Sequence, residues 1–172
     1  MSEPEYRIEP WAEGDLTLLQ QLMGDRAMTE QLGGPESPEK IAQRHERYVN
    51  LPETGTGVMF KIVDAATGNR VGSIGYWDRE SHEGEVYETG WSVLPAFQGR
   101  GIATIATAQL IELLRADRKR RYLYAYPSEN NASSNAICRK LGFELVSVSE
   151  YEYPKDSGNV MRCNDWRLDL LE

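Results

Sequence analysis

The sequence predicts a single α/β domain whose mixed, mostly antiparallel β-sheet is flanked by helices. The chain has 172 residues, which is enough for one domain of ordinary size and too few for two. Its predicted elements follow the order β, α, α, β, β, β, α, β, α, β, β, without the strict alternation of a doubly wound fold. Neither a repeat nor a linker interrupts the sequence, so we expect one domain over residues 1–172.

The N-terminal third is predicted to hold one strand and two helices. The strand candidate is Tyr6–Pro10. A helix follows from about Asp15, where apolar residues recur on one helical face: Leu16, Leu19, Leu22 and Met23. Ser37 followed by Pro38 is typical of an N-cap with proline at the first helical position, and it predicts a second helix to about Asn50.

The middle of the chain is predicted to contain three strands. Val58–Asp64 and Arg70–Tyr76 are joined by turn residues, which indicates a hairpin. Glu85–Leu94 is the third strand, reached across a polar loop at Asp78–Gly84. Pro95 ends this strand because proline offers no ladder donor.

The C-terminal part is predicted to alternate before it ends in a hairpin. Gly101 to about Ala116 has the apolar spacing of a strongly amphipathic helix. Tyr122–Tyr126 is a strand, and Asn131–Leu141 is a short helix followed by a glycine, as helix ends often are. Phe143–Tyr153 and Val160–Leu170 are the last two strands.

Composition and charge exclude several functions. The net charge is −8, from 19 basic and 27 acidic side chains, which argues against a nucleic-acid partner bound through phosphate contacts. This charge suits a cationic acceptor such as an amine, and it equally suits simple solubility.

Cys138, Cys163, His45 and His82 are too few for a disulfide framework or a zinc site, so no metal is expected. No apolar run approaches the ~20 residues that span a bilayer, so we expect no membrane partner. The acidic N-terminus lacks the pattern of a secretion signal, and we expect a cytoplasmic location.

The densest chemical signal is the segment Gln98-Gly99-Arg100-Gly101-Ile102-Ala103, between a predicted strand and a predicted helix. Glycines let the backbone approach a ligand closely. The N–H groups and positive dipole end of the next helix can receive an anion, to which Arg100 can add a charge. A triphosphatase loop would need Gly-Lys-Ser/Thr, and a dinucleotide fingerprint would need glycine or alanine where Thr104 stands. A plain turn and another nucleotide-binding enzyme stay open as alternatives.

This segment resembles the acetyl-CoA signature of the GNAT superfamily of N-acetyltransferases: Gln or Arg, two residues, Gly, one residue, then Gly or Ala. Gln98, Gly101 and Ala103 match it. Trp91–Pro95 resembles the family strand whose splayed end holds the pantetheine arm through backbone hydrogen bonds. Asn131–Phe143 is similar to the later family motif that begins with Asn, two residues and Ser and ends in Lys-Leu-Gly-Phe. The resemblance covers nearly the whole chain and is greatest to the branch containing the ribosomal-protein alanine acetyltransferases.

The resemblance implies an acetyl-CoA-dependent N-acetyltransferase in which a primary amine attacks the thioester directly within a ternary complex. Asn131 is expected to hydrogen-bond the pantetheine arm, with capping of its own helix as the alternative. The cofactor-binding residues implied by the resemblance are Val93, Leu94, Gln98, Gly99, Arg100, Gly101, Ile102, Ala103, Asn131 and Ser134.

The resemblance also implies a base and an oxyanion donor. A lysine-type amine has a pKa of ~10.4, so a base near pH 7 assists its attack. Glu88 matches a glutamate that often serves as this base, and Glu85 is the reserve; the alternative for Glu88 is an outward-facing strand carboxylate. A backbone N–H near Val93 or Leu94 is implied to stabilise the charge on the thioester oxygen.

Three side chains are candidates for protonating the leaving thiolate. Many relatives place a tyrosine four residues before the Gly of Gly-Phe, where this chain has Cys138. A thiol with a pKa of ~8.5 could donate a proton, although a cysteine there also suits packing. Ser134 matches the serine suspected of this role in the resembling branch, and Tyr126 is the third candidate. Because the tyrosine is missing, an acyl-CoA-binding sensor without catalysis is the alternative function.

The sequence leaves the acceptor open among a protein N-terminus, an aminoglycoside, a polyamine and an amino acid. Trp77, Tyr151 and Tyr153 are predicted to border its groove. The basic run at 118–121 is interpreted as favourable charge at a helix end rather than as a phosphate site. A homodimer is the default expectation for the oligomeric state.

Overall fold

The computed structural model describes residues 4–30, 33–152 and 155–172. Within these residues the chain forms seven strands and four α-helices, together with short 3-10 turns. Their bounds are β1 Tyr6–Pro10, α1 Leu16–Met23, α2 Pro38–Thr54, β2 Gly57–Asp64, β3 Arg70–Ser81, β4 Gly84–Val93, α3 Ile102–Asp117, β5 Tyr122–Ala125, α4 Ala132–Lys140, β6 Glu144–Glu152 and β7 Val160–Asp169.

All seven strands belong to one mixed sheet with the order β1-β2-β3-β4-β5-β7-β6. Every neighbouring pair is antiparallel except β4 and β5, which run parallel. The parallel pairing covers three positions and ends at Thr89 opposite Ala125. β4 continues to Val93 while the chain leaves β5 for Pro127, so the two strands separate. The predicted fold, a mixed and mostly antiparallel sheet flanked by helices, is confirmed.

The main core lies between α3 and the sheet. Ile102, Leu110 and Leu114 recur at helical spacing on α3 and are buried with Ile74 and Leu123 from the sheet. Burying each such side chain contributes roughly 1.5–3 kcal/mol to stability. A second apolar cluster joins α1 and α2 to β2. The packing of α3 fixes where its N-terminus lies relative to the end of β4.

The polar loop predicted at Asp78–Gly84 is wrong. β3 continues to Ser81, and β4 begins at Gly84 after a two-residue turn. The register pairs Arg79 with Val86 across the two strands. Gly84 has a φ of 95°, a conformation that L side chains rarely adopt, so a glycine there allows the tight turn. The longer hairpin brings the polar end of β3 beside the site.

α2 also extends further than predicted. It begins as expected, because the Ser37 side chain accepts a hydrogen bond from the N–H of Lys40, and it continues past Asn50 to Thr54. It ends at Gly55, whose φ of 73° provides the left-handed conformation common at helix C-termini.

Candidate active site

The separation of β4 from β5 exposes backbone groups at the end of β4. The N–H of Leu94 donates to the carbonyl of Val71 on β3 at 2.9 Å. Hydrogen-bonding directions alternate along an antiparallel strand, and Val93 lies opposite Gly72. The N–H and C=O of Val93 therefore point away from β3 and into the gap beyond β5.

This geometry separates the two residues implied as oxyanion donors. Leu94 uses its N–H within the sheet and packs beside the second apolar cluster rather than lining a cavity of the site. Its N–H is therefore not free to act as the oxyanion donor, and the expectation that Leu94 contacts the cofactor stays a prediction. Val93 lines the larger cavity, and its carbonyl accepts a hydrogen bond from Gln98 Nε2 at 2.9 Å. Gln98 thus ties the end of β4 to the glycine segment.

The larger cavity, of about 840 Å³, lies over the start of α3. Gly99 and Gly101 have φ values of 79° and 74°, and no other side chain crowds the space where their Cβ atoms would stand. No side chain caps the N-terminus of α3. The first backbone hydrogen bond of this helix runs from the N–H of Ile105 to the carbonyl of Gly101. The preceding N–H groups, of Ile102, Ala103 and Thr104, have no partner within the helix. Such a helix end with open glycines fits an anionic phosphate group.

The basic side chain expected at this helix start does not face the cavity. Arg100 does not line the cavity, and its guanidinium carbon lies 5.4 Å from the centroid of the Phe97 ring. The cavity size falls within the ~300–1,000 Å³ typical of small-molecule and cofactor sites. The start of α3 therefore offers an anion backbone groups rather than a basic side chain.

The start of α4 forms one wall of the site. Asn131 caps this helix, with its Oδ1 accepting hydrogen bonds from the N–H of Ser134 and the hydroxyl of Ser133, both at 3.1 Å. Ser134 Oγ in turn accepts a hydrogen bond from Trp91 Nε1 at 3.3 Å. Asn131 also lines both cavities, so its capping role leaves it in the wall of the site.

A buried amide holds this wall in place. Asn135 is 4% exposed and its Nδ2 donates to the carbonyls of Ser128 and Asn131. Its Oδ1 accepts from Asn164 Nδ2 and Trp166 Nε1 at 2.9 and 2.8 Å. All of its polar capacity is used for these contacts, and they join the loop before α4 to β7.

A smaller cavity, of about 360 Å³, opens on the other side of this wall. Trp91, Asn131 and Ser134 line both cavities, so the two meet at these residues. Glu88 and Arg79 face the smaller cavity and form an ion pair at 2.5 Å. The rest of its wall is largely aromatic or apolar, including Trp77, Tyr126, Tyr151 and Met161.

Arg79 lies against two tyrosine rings in this cavity. Its guanidinium carbon is 4.3 Å from the ring centroid of Tyr126 and 5.4 Å from that of Tyr151. Burial raises the pKa of both tyrosines above the usual value. Both phenols therefore stay protonated at neutral pH.

Two further sequence candidates lie away from both cavities. Cys138 is fully buried in the core on the inner face of α4, and burial raises the pKa of its thiol to about 12. The expectation that it protonates the thiolate is wrong, because it cannot reach a ligand in either cavity. Glu85, the reserve base, forms an ion pair with Arg120 at 2.7 Å instead. Tyr153 lies outside the described residues.

Two arginines of the basic run after α3 form ion pairs with acidic side chains. Arg120 pairs with Asp78 as well as Glu85, and Arg121 pairs with Asp169. Ion pairing with the sheet therefore accounts for Arg120 and Arg121, two of the four residues of this run.

Sequence reasoning missed Arg79 as a member of the site. The predicted polar loop at Asp78–Gly84 contains Arg79, and a loop gives no strand register from which its partner follows. The signal that could have found it was Gly84: a tight turn at that glycine sets the β3–β4 register and puts Arg79 two residues from the position opposite Glu88. Asn135 and Cys163 were also missed, and Cys163 lines the smaller cavity.

The structure of residues 4–30, 33–152 and 155–172 shows neither a membrane-spanning helix nor a metal-binding group of side chains. No helix there is long and apolar enough to cross a membrane. No group of three or more His, Cys, Asp or Glu side chains in the same part of the chain is arranged to hold a metal ion.

A helix start with unpartnered N–H groups beside a large cavity that meets a second cavity is an arrangement that fits group transfer between two substrates. The protein belongs to the acetyltransferase (GNAT) domain family, whose sequence pattern matches residues 6–144. A comparison with curated proteins finds no match. The membership confirms the resemblance noted from the glycine segment and the motif in α4.

Solved structures of acetyltransferases share the fold. An enzyme from Salmonella typhimurium that modifies the N-terminal serine of ribosomal protein L7/L12 is 19% identical, with a TM-score of 0.81 over 97% of this chain and 96% of that chain. The ribosomal-protein-S5-alanine acetyltransferase from Vibrio fischeri is 19% identical, with a TM-score of 0.79 over 100% and 97%. Spermidine N-acetyltransferase from Vibrio cholerae, in complex with CoA and spermine, is 15% identical, with a TM-score of 0.80 over 96% of each chain. At these identities the likeness establishes the fold.

Proposed function

We propose that the protein transfers an acetyl group from acetyl-CoA, bound in the larger cavity, to a primary amine that enters the smaller one. The observation that carries this proposal is the junction of the two cavities at Trp91, Asn131 and Ser134. A ternary-complex reaction requires both substrates to meet at one place, and bringing them together supplies a large part of the catalytic effect. Bound acetyl-CoA would supply an activated thioester.

The cofactor is proposed to bind mainly through backbone groups. The free N–H groups at the start of α3 would receive the pyrophosphate, with Gly99 and Gly101 allowing its close approach. Val93 would bind the pantetheine arm in the gap between β4 and β5, and Asn131 borders the same path. The N–H of Val93, which points into this gap, is the proposed donor to the thioester oxygen.

Glu88 is the proposed base for the amine. Its Oε1 contacts Arg79, whereas its Oε2 accepts no hydrogen bond from the residues that the structure describes. Arg79 thus fixes the orientation of the carboxylate and leaves one oxygen for the acceptor. A positioned general base of this kind contributes typically 10²–10⁴-fold to the rate.

Ser134 is the proposed proton donor to the leaving thiolate. Its oxygen accepts the Trp91 indole N–H, so its own O–H remains available to donate. Its position at the cavity junction favours it over Tyr126, which lines the smaller cavity alone. A cytoplasmic location, assembly into a homodimer, and the absence of nucleic-acid or membrane partners stay predictions.

The experiment that tests the proposal is release of the CoA thiol from acetyl-CoA on addition of amines. Acetyl-CoA, ATP and NAD are first compared in separate thermal-shift measurements. At 100 times its Kd, acetyl-CoA should stabilise by ~2.7 kcal/mol, a rise of roughly 5–11 °C in Tm. Amine-dependent thiol release supports the transferase. Binding of acetyl-CoA without release by any amine would favour the sensor, and a selective shift with ATP or NAD would contradict the cofactor.

A further inference from the structure

We propose that the acceptor is an amine that carries a carboxylate, as a free amino acid does, and that Arg79 binds this carboxylate. The inference rests on the proposed function, because it takes the smaller cavity as the acceptor site. It extends that function by naming the chemical class of the substrate.

The guanidinium of Arg79 has unused donors. Its Nη1 contacts Glu88, and neither its Nε nor its Nη2 makes a hydrogen bond or ion pair with the residues that the structure describes. Its guanidinium carbon lies over the Tyr126 ring, 4.3 Å from the centroid. Stacking uses the face of a guanidinium and leaves the N–H edge for a planar anion, which it can bind through two parallel hydrogen bonds.

The charges of the cavity match a zwitterion. Glu88 offers a free carboxylate oxygen to an ammonium or amine, and Arg79 offers N–H donors to a carboxylate on the adjacent side. These two side chains lie next to each other, as the amine and carboxylate of an α-amino acid do. Glu152 also lines the cavity, with its Oε1 accepting a hydrogen bond from the N–H of Gly158, and spermidine in the test below measures whether a purely cationic substrate is accepted instead.

Size and lining also agree with a small amino acid. At about 360 Å³ the cavity stands near the lower end of the range for small-molecule sites. Trp77, Trp91 and Met161 provide apolar surface that suits an aliphatic or aromatic side chain. A peptide N-terminus offers an amide where the free amino acid has its carboxylate, and that amide would leave the Arg79 fork without an anion.

The chemical step balances without a further reactant. The amine nitrogen forms a bond to the acetyl carbon while the C–S bond breaks. The proton lost by the amine passes to Glu88, and the sulfur takes a proton from Ser134 on leaving. Transfer of the Glu88 proton through solvent back to Ser134 returns both side chains to their starting states. The products are an N-acetylated amino acid and CoA.

The test compares acids with their carboxamides. Leucine, methionine and phenylalanine are each assayed beside the corresponding amino acid amide, together with spermidine and a short peptide, by release of the CoA thiol at one pH. We expect kcat/KM for at least one acid to exceed that of its amide by more than ~10-fold, as for loss of a hydrogen bond to a charged group. The amide has the lower amine pKa and so more free amine, which biases the comparison against this expectation.

Variants of Arg79 separate binding of the carboxylate from positioning of Glu88. In Arg79→Gln the ratio of kcat/KM for the acid to kcat/KM for the amide should fall towards one. A purely positioning role would lower both values and leave their ratio unchanged. Arg79→Lys keeps the charge but loses the fork, and it should retain part of the ratio. It also provides the measurement if Arg79→Gln does not fold. Arg121→Gln, which removes an exposed arginine paired with Asp169, is the matched control and should keep the wild-type ratio.

The outcomes distinguish the inference from the function on which it rests. Acetylation of amides, peptides or spermidine at rates equal to or above those of the acids, or an unchanged ratio in the folded Arg79 variants, would overturn the inference and leave the transferase intact. Failure of every amine, despite binding of acetyl-CoA, would overturn the proposed transferase function and the inference with it.

Discussion

The indole N–H of Trp91 donates a hydrogen bond to the hydroxyl oxygen of Ser134, 3.3 Å away, at the place where the two cavities of the site meet. This contact joins β4 to α4 across the gap left by β5. It also sets the direction of the Ser134 hydroxyl, because the oxygen has accepted one hydrogen bond and keeps its proton for another partner.

Ser134→Ala should therefore lower kcat by roughly 10-fold or more while it leaves acetyl-CoA affinity within about threefold of the wild type. The reason is that a proton donor acts only as the thiolate leaves, so its loss affects the transition state rather than ground-state binding. Steady-state kinetics and a thermal-shift titration give the two quantities. Equal losses in kcat and cofactor affinity would instead indicate that Ser134 only binds acetyl-CoA.

Glu88→Gln should lower kcat by ~10²–10⁴-fold, since glutamine keeps the shape of the side chain and cannot accept the amine proton. Glu85→Gln is the matched control, because Glu85 lies on the same strand but pairs with Arg120 and lines neither cavity. Both variants should bind acetyl-CoA normally in thermal-shift measurements. If Glu85→Gln lost activity and Glu88→Gln kept it, the base would be misassigned.

Much of the fold could be predicted because the regular spacing of apolar residues indicates which face of each element is buried. Ile102, Ala106 and Leu110 recur every four residues on α3, and this helix was predicted within one residue at each end. The β3–β4 hairpin was less accessible. Asp78 to Ser81 show no apolar alternation, so their pairing depends on the turn at Gly84 rather than on a buried face.

The site was harder to predict because its contacts depend on register and on which face of a helix is buried. The Arg79–Glu88 pair follows from the hairpin register and is invisible as spacing in the sequence. The inner face of α4 is also hard to predict. It carries the polar residue Asn135, which is buried on the same side of the helix as Cys138. Only the partners of the Asn135 amide show that this face packs inward.

Cys138→Ala should leave kcat within about twofold of the wild type and lower the free energy of unfolding by about 1 kcal/mol, because only a small buried group is lost. For a domain of this size that corresponds to a fall of roughly 2–4 °C in Tm. Kinetics and thermal unfolding measure the two effects. A kcat reduced 10-fold or more in a folded variant would restore Cys138 as a proton donor.

The same thiol makes stability depend on alkaline pH. In the unfolded chain it ionises near its ordinary pKa of 9.0, whereas in the folded protein burial raises the pKa to about 12. Its raised pKa stabilises the fold fully below pH 9, and this contribution is lost as the pH rises to about 12, because the unfolded state then binds fewer protons. The slope is at most about 1.4 kcal/mol per pH unit for one group. Cys138→Ala should show a shallower decline in the free energy of unfolding between pH 9 and 10, measured by denaturant titration, and an identical decline in both proteins would contradict the shift.

Gly101→Val should abolish most acetyl-CoA binding by disturbing the start of α3. Its φ of 74° is strained for a β-branched residue, so the backbone would turn the first N–H groups of the helix away from the cavity. The thermal shift given by saturating acetyl-CoA should fall by at least half.

Gly68→Val is the matched control, because Gly68 has a φ of 77° and equally open surroundings in the β2–β3 turn. Both variants should lose stability by a similar amount, and only Gly101→Val should lose the response to acetyl-CoA. If both variants kept that response, the proposed binding of the pyrophosphate at the start of α3 would be wrong.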